Sequence, residues 1–492
     1  SFACFEFGRL SILAPSQKTS PPLGDSKPAR IFRNVVFPAP LSPRRLTLSP
    51  RPTDRLAPRR TSKNPPSGDL NFLRTPSALK TVSPKSLFIA HSLRRFQPCR
   101  ADCRQKPRER AQNHREPRRP KRAGGKPVAI FGTGASGTAA KKLLDSLGIA
   151  SVFYAETSAK KPASGDASAV REFSADAAKR HALAVYSPAF RPDHKWIETA
   201  RNAGATTICE PDLSALAWSG STIAITGTNG KTTLTSFITH ALNIAGCDAF
   251  SAGNIGAPLS AFCPEYGRDP QKTAVCELSS FQTSNLQFLR PDFLLWTNFA
   301  PDHLDWHKDM EEYFRAKFNL VSATKGGIVV GSSVADAARE YGAKLPDAAV
   351  VIDESATRSA PSPFDSSIQA RNFAMAVEFG KLFGLDKNAF EKAAKTFNLP
   401  AFRFSKPIEV DGVRFYNDSK ATNIHAALAA LEELKGEKNL VWLGGGKDKL
   451  CDLKPLTDAV NKRAKAAVLI GQTARKLADG LEIPAFVCES MA

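Results

Sequence analysis

The chain has 492 residues, 42% of them hydrophobic, which suffices for about three domains of ordinary size with buried cores. No run approaches the roughly 18 to 20 uncharged apolar residues of a membrane-spanning helix, so no membrane partner is expected. Nine cysteines without C-x-x-C spacing indicate neither a disulfide framework nor a zinc site, and they favour a reducing, cytoplasmic location.

The net charge of +21 is concentrated in residues 1–125, which hold 27 Lys and Arg against 7 Asp and Glu, together with 18 of the 35 prolines. Such a stretch cannot bury enough surface to offset its ordering entropy and is predicted to be disordered. It is a basic arm for nucleic acid or anionic membrane, a targeting peptide, or a non-functional segment upstream of the true start, which we favour. Residues 126–492 are nearly neutral, so no nucleic-acid partner is expected.

From residue 126 onward, apolar strands alternate with helices of 3.6-residue period, which predicts parallel α/β architecture. Three units are predicted: 126–219, 220–399 and 400–492. The first opens with a strand that meets Gly132, Gly134 and Gly137 ahead of a helix over residues 138–147. This glycine spacing lets a backbone approach a diphosphate at a helix N-terminus, although tight strand-to-helix turns also use glycine structurally.

Two further residues of the first unit are predicted to lie at the same ligand site. Glu156 ends the next strand, where an acid can meet a ribose or a base edge. Ser187 follows another strand and supplies a second loop.

The second unit carries a glycine turn between an apolar β-branched strand and an amphipathic helix. Backbone N–H groups of such a turn point at an anion, Lys231 adds a mobile charge, and the Thr232 hydroxyl can hold Mg²⁺. Ile225 stands where the common P-loop has glycine, so this is a shorter variant, and an ordinary strand-to-helix turn is the alternative. A nucleoside triphosphate is the predicted ligand. The predicted loop consists of Gly227, Thr228, Asn229, Gly230, Lys231, Thr232 and Thr233.

Further candidate ligands follow two later strands of this unit. Glu277 ends a strand, where a buried acid is costly unless paired or metal-bound; it is a Mg²⁺ candidate or else a solvated strand-end glutamate. The next strand opens into a loop with two histidines and two aspartates, His303 among them. A helix over 310–323 then carries Lys317 among aromatics, where it either snorkels or loses its proton and reacts with carbon dioxide to form a carbamate ligand.

The third unit is predicted to contain a strand pair across the Asp411–Gly412 turn and a polar cluster at residues 417–423. Such a cluster between a strand and a helix would be costly without a ligand. A glycine loop that ends at Lys449 is another anion acceptor. Few strands follow it, so this third domain is predicted to be incomplete.

These segments resemble the Mur ligases, the ATP-dependent amide-forming enzymes of peptidoglycan precursor synthesis, over residues 126–492. The phosphate-loop motif Thr226–Thr232 is shared with folylpolyglutamate synthases. The motifs Asn254–Gly256, Glu277–Gln282, Asn298 to His303 and above all 417–423 resemble the members that add D-glutamate to UDP-N-acetylmuramoyl-L-alanine.

The resemblance implies a Rossmann-like UDP-binding domain, a central P-loop ATPase domain and a Rossmann-like C-terminal domain. It implies that a substrate carboxylate attacks the γ-phosphate of ATP to give an acyl phosphate, which the amine of D-glutamate then attacks. No protein nucleophile is required, because positioning and charge neutralisation by lysine and two Mg²⁺ ions carry the reaction.

The resemblance also implies residue roles. Lys231 holds the phosphates, Thr232 and Glu277 serve one metal ion, and His303 and carbamylated Lys317 serve the second. The nucleotide is also contacted by Asn298, Asn372, Arg403 and Asp418. UDP-N-acetylmuramoyl-L-alanine is bound by Gly134, Ser136, Gly137, Glu156, Ser187, Asn254 and Ser279. D-Glutamate and the closing third domain meet at Lys420, Thr422 and Lys449.

The sequence departs from the family pattern at residues 366–372, where only Asn372 of the usual motif is kept, and in the final stretch that helps to bind D-glutamate. Two alternatives stay open. One is a folylpolyglutamate-synthase-like ligase, whose pterin acceptor fits poorly with a diphosphate-type loop at 132–137. The other is a non-catalytic nucleotide-binding or RNA-binding protein. A monomer is expected.

Overall fold

The computed structural model describes residues 11–15, 125–156, 170–355, 359–404, 407–434 and 438–489. The prediction of disorder for residues 1–125 falls almost entirely outside these ranges. The exception is strand β1 (Ser11–Pro15), whose backbone pairs on both sides with strands of the third domain. These pairings give the backbone N–H and C=O groups of β1 the hydrogen-bond partners that its own short segment cannot supply.

The first domain contains a parallel sheet of four strands in the order β3-β2-β4-β5. Its inner strand β2 is completely buried, as is typical of parallel strands covered by helices on both faces. The elements are β2 (Val128–Phe131), α1 (Ala135–Ser146), β3 (Ser151–Tyr154), α2 (Ala175–Ala178), β4 (Leu183–Tyr186), α3 (Lys195–Asn202), β5 (Thr206–Cys209) and α4 (Glu210–Ala217).

The central domain contains a parallel sheet of six strands in the order β11-β10-β9-β6-β8-β7. Strands β6, β8 and β9 are nearly continuous apolar runs, which places the loops after them side by side at one edge of the sheet. The strands are β6 (Ser221–Thr226), β7 (Asp248–Gly253), β8 (Lys272–Glu277), β9 (Phe293–Trp296), β10 (Ile328–Gly331) and β11 (Val350–Ile352). The helices are α5 (Lys231–Ile244), α6 (Cys263–Tyr266), α7 (Ser280–Thr283), α8 (Met310–Ala323), α9 (Ser332–Glu340), α10 (Ser367–Phe383) and α11 (Lys387–Ala394).

The third domain contains a mixed sheet in the order β12-β13-β1-β14-β15-β16. The predicted hairpin is present, with Asp411 and Gly412 both at positive φ in the turn. Strand β1 runs antiparallel to both β13 and β14, whereas β14, β15 and β16 are parallel. The elements are β12 (Ile408–Val410), β13 (Val413–Asn417), α12 (Ile424–Glu433), β14 (Leu440–Gly445), α13 (Lys454–Arg463), β15 (Ala464–Ile470), α14 (Ala474–Asp479) and β16 (Ala485–Cys488).

One hydrophobic core joins the first and central domains. Ile130 and Leu143 of the first domain belong to the same buried cluster as Trp296 and Phe314 of the central domain. The parallel sheets of the first two domains and the mixed sheet of the third confirm the predicted α/β architecture. None of the described helices combines the length and apolar character that a bilayer span requires.

Candidate active site

The loop between β6 and α5 has the backbone of a compact anion cradle. Gly227 has φ +144° and Gly230, which caps α5, has φ +83°, both outside the range that other residues adopt readily. A Cβ on Gly227 would lie 1.8 Å from Thr297 Oγ1. Asn298 fixes the loop from below, because its side chain accepts from the Asn229 N–H at 2.9 Å and donates to the Asn229 carbonyl at 3.2 Å.

Lys231 lies folded over this loop. Its Nζ donates to the carbonyl oxygens of Gly227 and Thr228, both at 2.9 Å. Burial lowers the pKa of Lys231, and the neighbouring carboxylates of Glu277 and Asp302 oppose that shift. The lysine is thus held at the mouth of the loop by weak neutral acceptors, which an anionic ligand would replace.

Glu277, at the end of β8, is only 3% exposed, so the alternative of a solvated strand-end glutamate is wrong. One carboxylate oxygen accepts from the Thr232 hydroxyl at 2.7 Å, and the other accepts from the Asn254 amide at 2.9 Å. Three predicted residues, two of them assigned to metal and one to substrate, therefore meet at one carboxylate. A carboxylate and a hydroxyl beside a phosphate loop form an oxygen donor set that fits Mg²⁺.

Lys317 is 1% exposed, and its Nζ lies beneath the phosphate loop, so the snorkelling alternative is wrong. It donates to the Gly227 carbonyl at 3.0 Å and to Thr226 Oγ1 at 3.2 Å. Burial lowers the pKa of Lys317 well below its ordinary value, aided by the Lys231 ammonium. Burial therefore favours the neutral amine of Lys317 more than it would that of an exposed lysine.

His303 adopts the left-handed backbone region, with φ +57°, and its Nε2 lies 3.6 Å from Asp302 Oδ2. Burial lowers the pKa of His303 to about 4, so its ring is neutral at pH 7. Among the described residues no group of three or more His, Cys, Asp or Glu side chains is arranged to hold a metal ion. An ion at this edge of the sheet would therefore depend on few protein ligands, as Mg²⁺ does when phosphates complete its shell.

The third domain contacts the central domain directly at this site. Lys449 Nζ lies 2.5 Å from Asp302 Oδ1, and both side chains are 3% exposed. Asn423 and Asn229 exchange amide hydrogen bonds of 2.9 and 3.2 Å, and Asn423 also donates to Asp302 at 3.0 Å. Lys449, predicted to bind D-glutamate, is thus paired with an aspartate of the central domain.

A cleft between the central and third domains has about 790 Å³ of space free of protein atoms, part of it open to solvent. The predicted nucleotide-site residues that line it are Asn229, Gly230, Thr233, Asn298, Asn372, Arg403 and Asp418, and Lys420, predicted for D-glutamate, lines it too. Glu354, Arg371 and His425 also line it and were not predicted; His425 Nδ1 lies 3.1 Å from Asn229 Nδ2.

Asp418 titrates near neutrality in this cleft. Burial raises its pKa from 3.8 to about 7, and a hydrogen bond from the Phe404 N–H and the Arg403 guanidinium oppose the shift. The folded state therefore binds a proton that the unfolded chain releases near pH 4. Stability contributed by this group is present at low pH and is lost as the pH rises through about 7.

We expect Asp418→Asn to remove this pH dependence, because the amide does not titrate. The free energy of unfolding of the wild type, minus that of the variant, should fall by roughly 3 kcal/mol between pH 5 and pH 8. Urea unfolding of both proteins at several pH values measures it. A difference that stays constant or grows with pH would contradict the assignment.

The predicted diphosphate site lies at the carboxyl edge of β2, β3 and β4. Gly137 is required there, since a Cβ on it would lie 1.9 Å from the Gly132 carbonyl oxygen. Gly134 caps α1, which carries Ser136 in its first turn. Glu156 lies 3.2 Å from Lys195 Nζ and 3.4 Å from His194 Nε2, and the Ser187 N–H donates to the Phe131 carbonyl at 3.0 Å.

Two other predicted substrate residues lie apart from that group. Ser279 caps α7 in a capping box with Gln282, on the central domain. Thr422 is half-buried in the polar segment that precedes α12. Among the residues of the site that were not predicted, Asp302 and Asn423 lie within motifs that the sequence analysis identified, whereas Glu354 and His425 lie in no recognisable motif.

Comparison with known proteins gives a consistent result. Residues 225–391 match the family model of the Mur ligase middle domain. The chain is 30% identical over 383 residues to the UDP-N-acetylmuramoylalanine--D-glutamate ligase of Leuconostoc mesenteroides, covering 72% of this chain and 84% of the relative. It is 32% identical over 337 residues to the enzyme of that name from Lacticaseibacillus paracasei, covering 63% and 72%. A solved UDP-N-acetylmuramate-alanine ligase from Thermotoga maritima is 18% identical with a TM-score of 0.48, covering 74% of this chain and 90% of that one.

Proposed function

The chain belongs to the Mur ligase family of UDP-N-acetylmuramoylalanine--D-glutamate ligases, and from this premise we propose that it joins D-glutamate to UDP-N-acetylmuramoyl-L-alanine at the expense of ATP. It is accordingly an ATP-dependent ligase of peptidoglycan synthesis. The observation that carries the proposal is the convergence on one phosphate loop of Lys231, the Glu277–Thr232 pair and the third-domain bridge from Lys449 to Asp302.

In the proposed first step, the alanine carboxylate attacks the γ-phosphorus of ATP, the bond to the bridging oxygen breaks, and ADP leaves. The triphosphate would lie along the loop before α5, where backbone N–H groups face it and the Lys231 ammonium neutralises charge on the transferred group. Lys231 would exchange its two carbonyl acceptors for phosphate oxygens.

In the proposed second step, the amine of D-glutamate attacks the acyl phosphate carbonyl, the amide forms, and phosphate and a proton are released. The protein supplies no nucleophile and contributes by positioning. The third domain is suited to this role because Asn423 and Lys449 bring it against the phosphate loop and the Asp302 loop.

Magnesium fits this donor set. Thr232 and Glu277 would hold one ion, which when bound neutralises phosphate charge. A second ion would need His303 together with Lys317 as its carbamate, formed when the neutral amine attacks carbon dioxide and releases a proton. A carbamate resonance in ¹³C NMR with labelled bicarbonate, lost in Lys317→Met, is the expected signature, and its absence from the wild type contradicts this part.

The experiment that tests the function is phosphate release from ATP with each substrate omitted in turn. The proposal requires turnover only when UDP-N-acetylmuramoyl-L-alanine and D-glutamate are both present. Turnover with a pterin acceptor instead would favour the folylpolyglutamate-type ligase, and binding of ATP without any turnover would favour a non-catalytic protein.

The proposal also includes a cytoplasmic location and a monomeric enzyme. The support for the first is an odd number of cysteines without disulfide spacing. Size-exclusion chromatography with light scattering tests the monomer.

A further inference from the structure

An arginine of the first domain contacts the central domain on the side where the proposed ligands would lie. Arg191 follows β4 in the loop that begins at Ser187. Its guanidinium donates to the main-chain carbonyl of Trp306 and lies 5.3 Å from the centroid of the indole ring. Trp306 belongs to the central-domain loop that carries His303. The contact therefore connects a predicted UDP-binding loop with the proposed catalytic edge.

An aromatic stack continues from this contact into the site. The Trp306 ring stacks on Phe281 with centroids 4.5 Å apart and an interplanar angle of 28°. The Phe281 ring in turn meets the His303 ring at 4.9 Å in an edge-to-face arrangement. The stack therefore holds Trp306 against Phe281 of α7, within the central domain.

The residues around Arg191 orient its guanidinium group but stabilise its positive charge only weakly. Asp193 Oδ1 lies 3.2 Å from its Nε, and Glu312 Oε1 lies 4.0 Å from a terminal nitrogen. The arginine side chain is 40% exposed, so these ion pairs stabilise little. The planar guanidinium is oriented by the carbonyl and the ring face instead, a combination that a lysine cannot reproduce.

The opposite side of the same domain interface is held rigidly. Asp212, at the start of α4, accepts the main-chain N–H groups of Gln287, Phe288 and Leu289 at 2.9 to 3.0 Å. Glu210 accepts from the Ser260 hydroxyl at 2.5 Å and from its N–H at 3.1 Å. With this side fixed by buried carboxylates, Arg191 adds a contact at the ligand edge of the interface, beside the hydrogen bond that Asn285 donates to the Tyr186 hydroxyl at 3.1 Å.

We propose that Arg191 is a positioning residue that sets the distance between the UDP-binding loop and the phosphate loop. A UDP-linked sugar bound by the first domain must present its carboxyl group to a phosphate held by the central domain, so a shift of about 1 Å at this interface is costly to the reaction. The inference rests on the proposed function and concerns the UDP-linked substrate alone. ATP would lie in the cleft between the central and third domains and should be insensitive to the contact.

Steady-state kinetics of matched variants test this role. Arg191→Ala and Trp306→Ala should each raise the KM for UDP-N-acetylmuramoyl-L-alanine about tenfold, the equivalent of about 1.4 kcal/mol, while the KM for ATP changes less than twofold, because the UDP-binding loop loses the contact that orients it toward the central domain. Arg191→Lys should resemble Arg191→Ala, and Trp306→Phe should keep most of the wild-type KM. Arg339→Ala, which removes an exposed arginine paired with Asp336, is the control and should leave both KM values unchanged.

The double variant separates coupling from general damage. Arg191→Ala combined with Trp306→Ala should be no worse than either single variant, because both remove the same contact. Additive losses, equal rises in both KM values, or full activity in Arg191→Lys would each overturn the proposal.

Failure of the proposed function itself is recognised separately, because the wild type would then show no turnover that depends on the UDP-linked sugar. The contact is in that case tested by hydrogen exchange of residues 187–193. Faster exchange in Arg191→Ala than in Arg339→Ala supports the interdomain contact, and equal exchange overturns it.

Discussion

Replacing Lys231 by alanine is expected to lower the rate of phosphate release by about 10²- to 10³-fold, the loss typical of removing one charged or hydrogen-bonding group that stabilises a transition state. Lys231 lies over the phosphate loop, and its ammonium donates hydrogen bonds to two carbonyl oxygens of that loop. Removing it leaves the loop backbone as the main anion-binding element. The measurement is the rate at saturating concentrations of all three substrates, followed by ATP binding at equilibrium.

The control for this variant is Lys381→Ala, which removes an exposed lysine of the same domain that is paired with Glu378. It should leave turnover unchanged, because an exposed pair contributes about 0 to 1 kcal/mol. Thermal unfolding of the two variants without nucleotide should be similar, so that a loss of fold is distinguished from a loss of chemistry. A Lys231→Ala enzyme with more than a tenth of wild-type turnover would contradict the role of this lysine.

The sheets of the first and central domains follow from local signals. Near-continuous apolar runs such as β6 and β8 cannot face water on either side, so they predict helices on both faces and loops gathered at one edge. The predicted ends of helices and strands were less accurate than their order along the chain. The helix predicted from residue 138 begins at Ala135, because Gly134 serves as its N-cap and the glycine pattern alone does not show which glycine of the turn precedes the helix.

Burial at the proposed site was predictable for residues that are costly to bury without a partner. An acid at the end of an apolar strand had to find a partner, and Glu277 finds Thr232 and Asn254. Lys317, on a helix rich in aromatics, left two alternatives open. The structure favours the buried one because β6 ends directly above its amine, a fact about tertiary packing that the helix sequence does not contain.

Pairings between domains could not be predicted from local pattern. Asn229 and Asn423 are 194 positions apart, and Asp302 and Lys449 are 147 apart. For each of these residues the sequence offers several chemically equivalent partners, and only the tertiary structure determines which of them is in contact. Strand β1 was missed for a related reason, since five residues in a proline-rich segment obtain their hydrogen bonds from β13 and β14.

The buried bridge from Lys449 to Asp302 carries the second large expected effect. Both side chains are 3% exposed and 2.5 Å apart. Burial raises the pKa of Asp302, but its polar partners outweigh burial and hold that pKa below the ordinary value. Removing one partner of a buried pair leaves an uncompensated charge and costs about 3 to 5 kcal/mol. Because the pair joins two domains, we expect this cost to fall on the arrangement in which the third domain contacts the phosphate loop.

Lys449→Met is therefore expected to lower kcat/KM by about 10²- to 10³-fold, the equivalent of roughly 3 to 4 kcal/mol. The same loop offers a matched control, since Lys447 forms an exposed pair with Asp305 at 3.3 Å. Lys447→Met should cost less than about threefold, because exposed pairs are screened by water and salt. Raising the salt concentration should shrink the small effect at Lys447 and leave the large one at Lys449, since the buried pair is not reached by ions. If the two methionine variants lose activity equally, the bridge does not hold the third domain against the phosphate loop, and Asn423 with Asn229 must carry that contact instead.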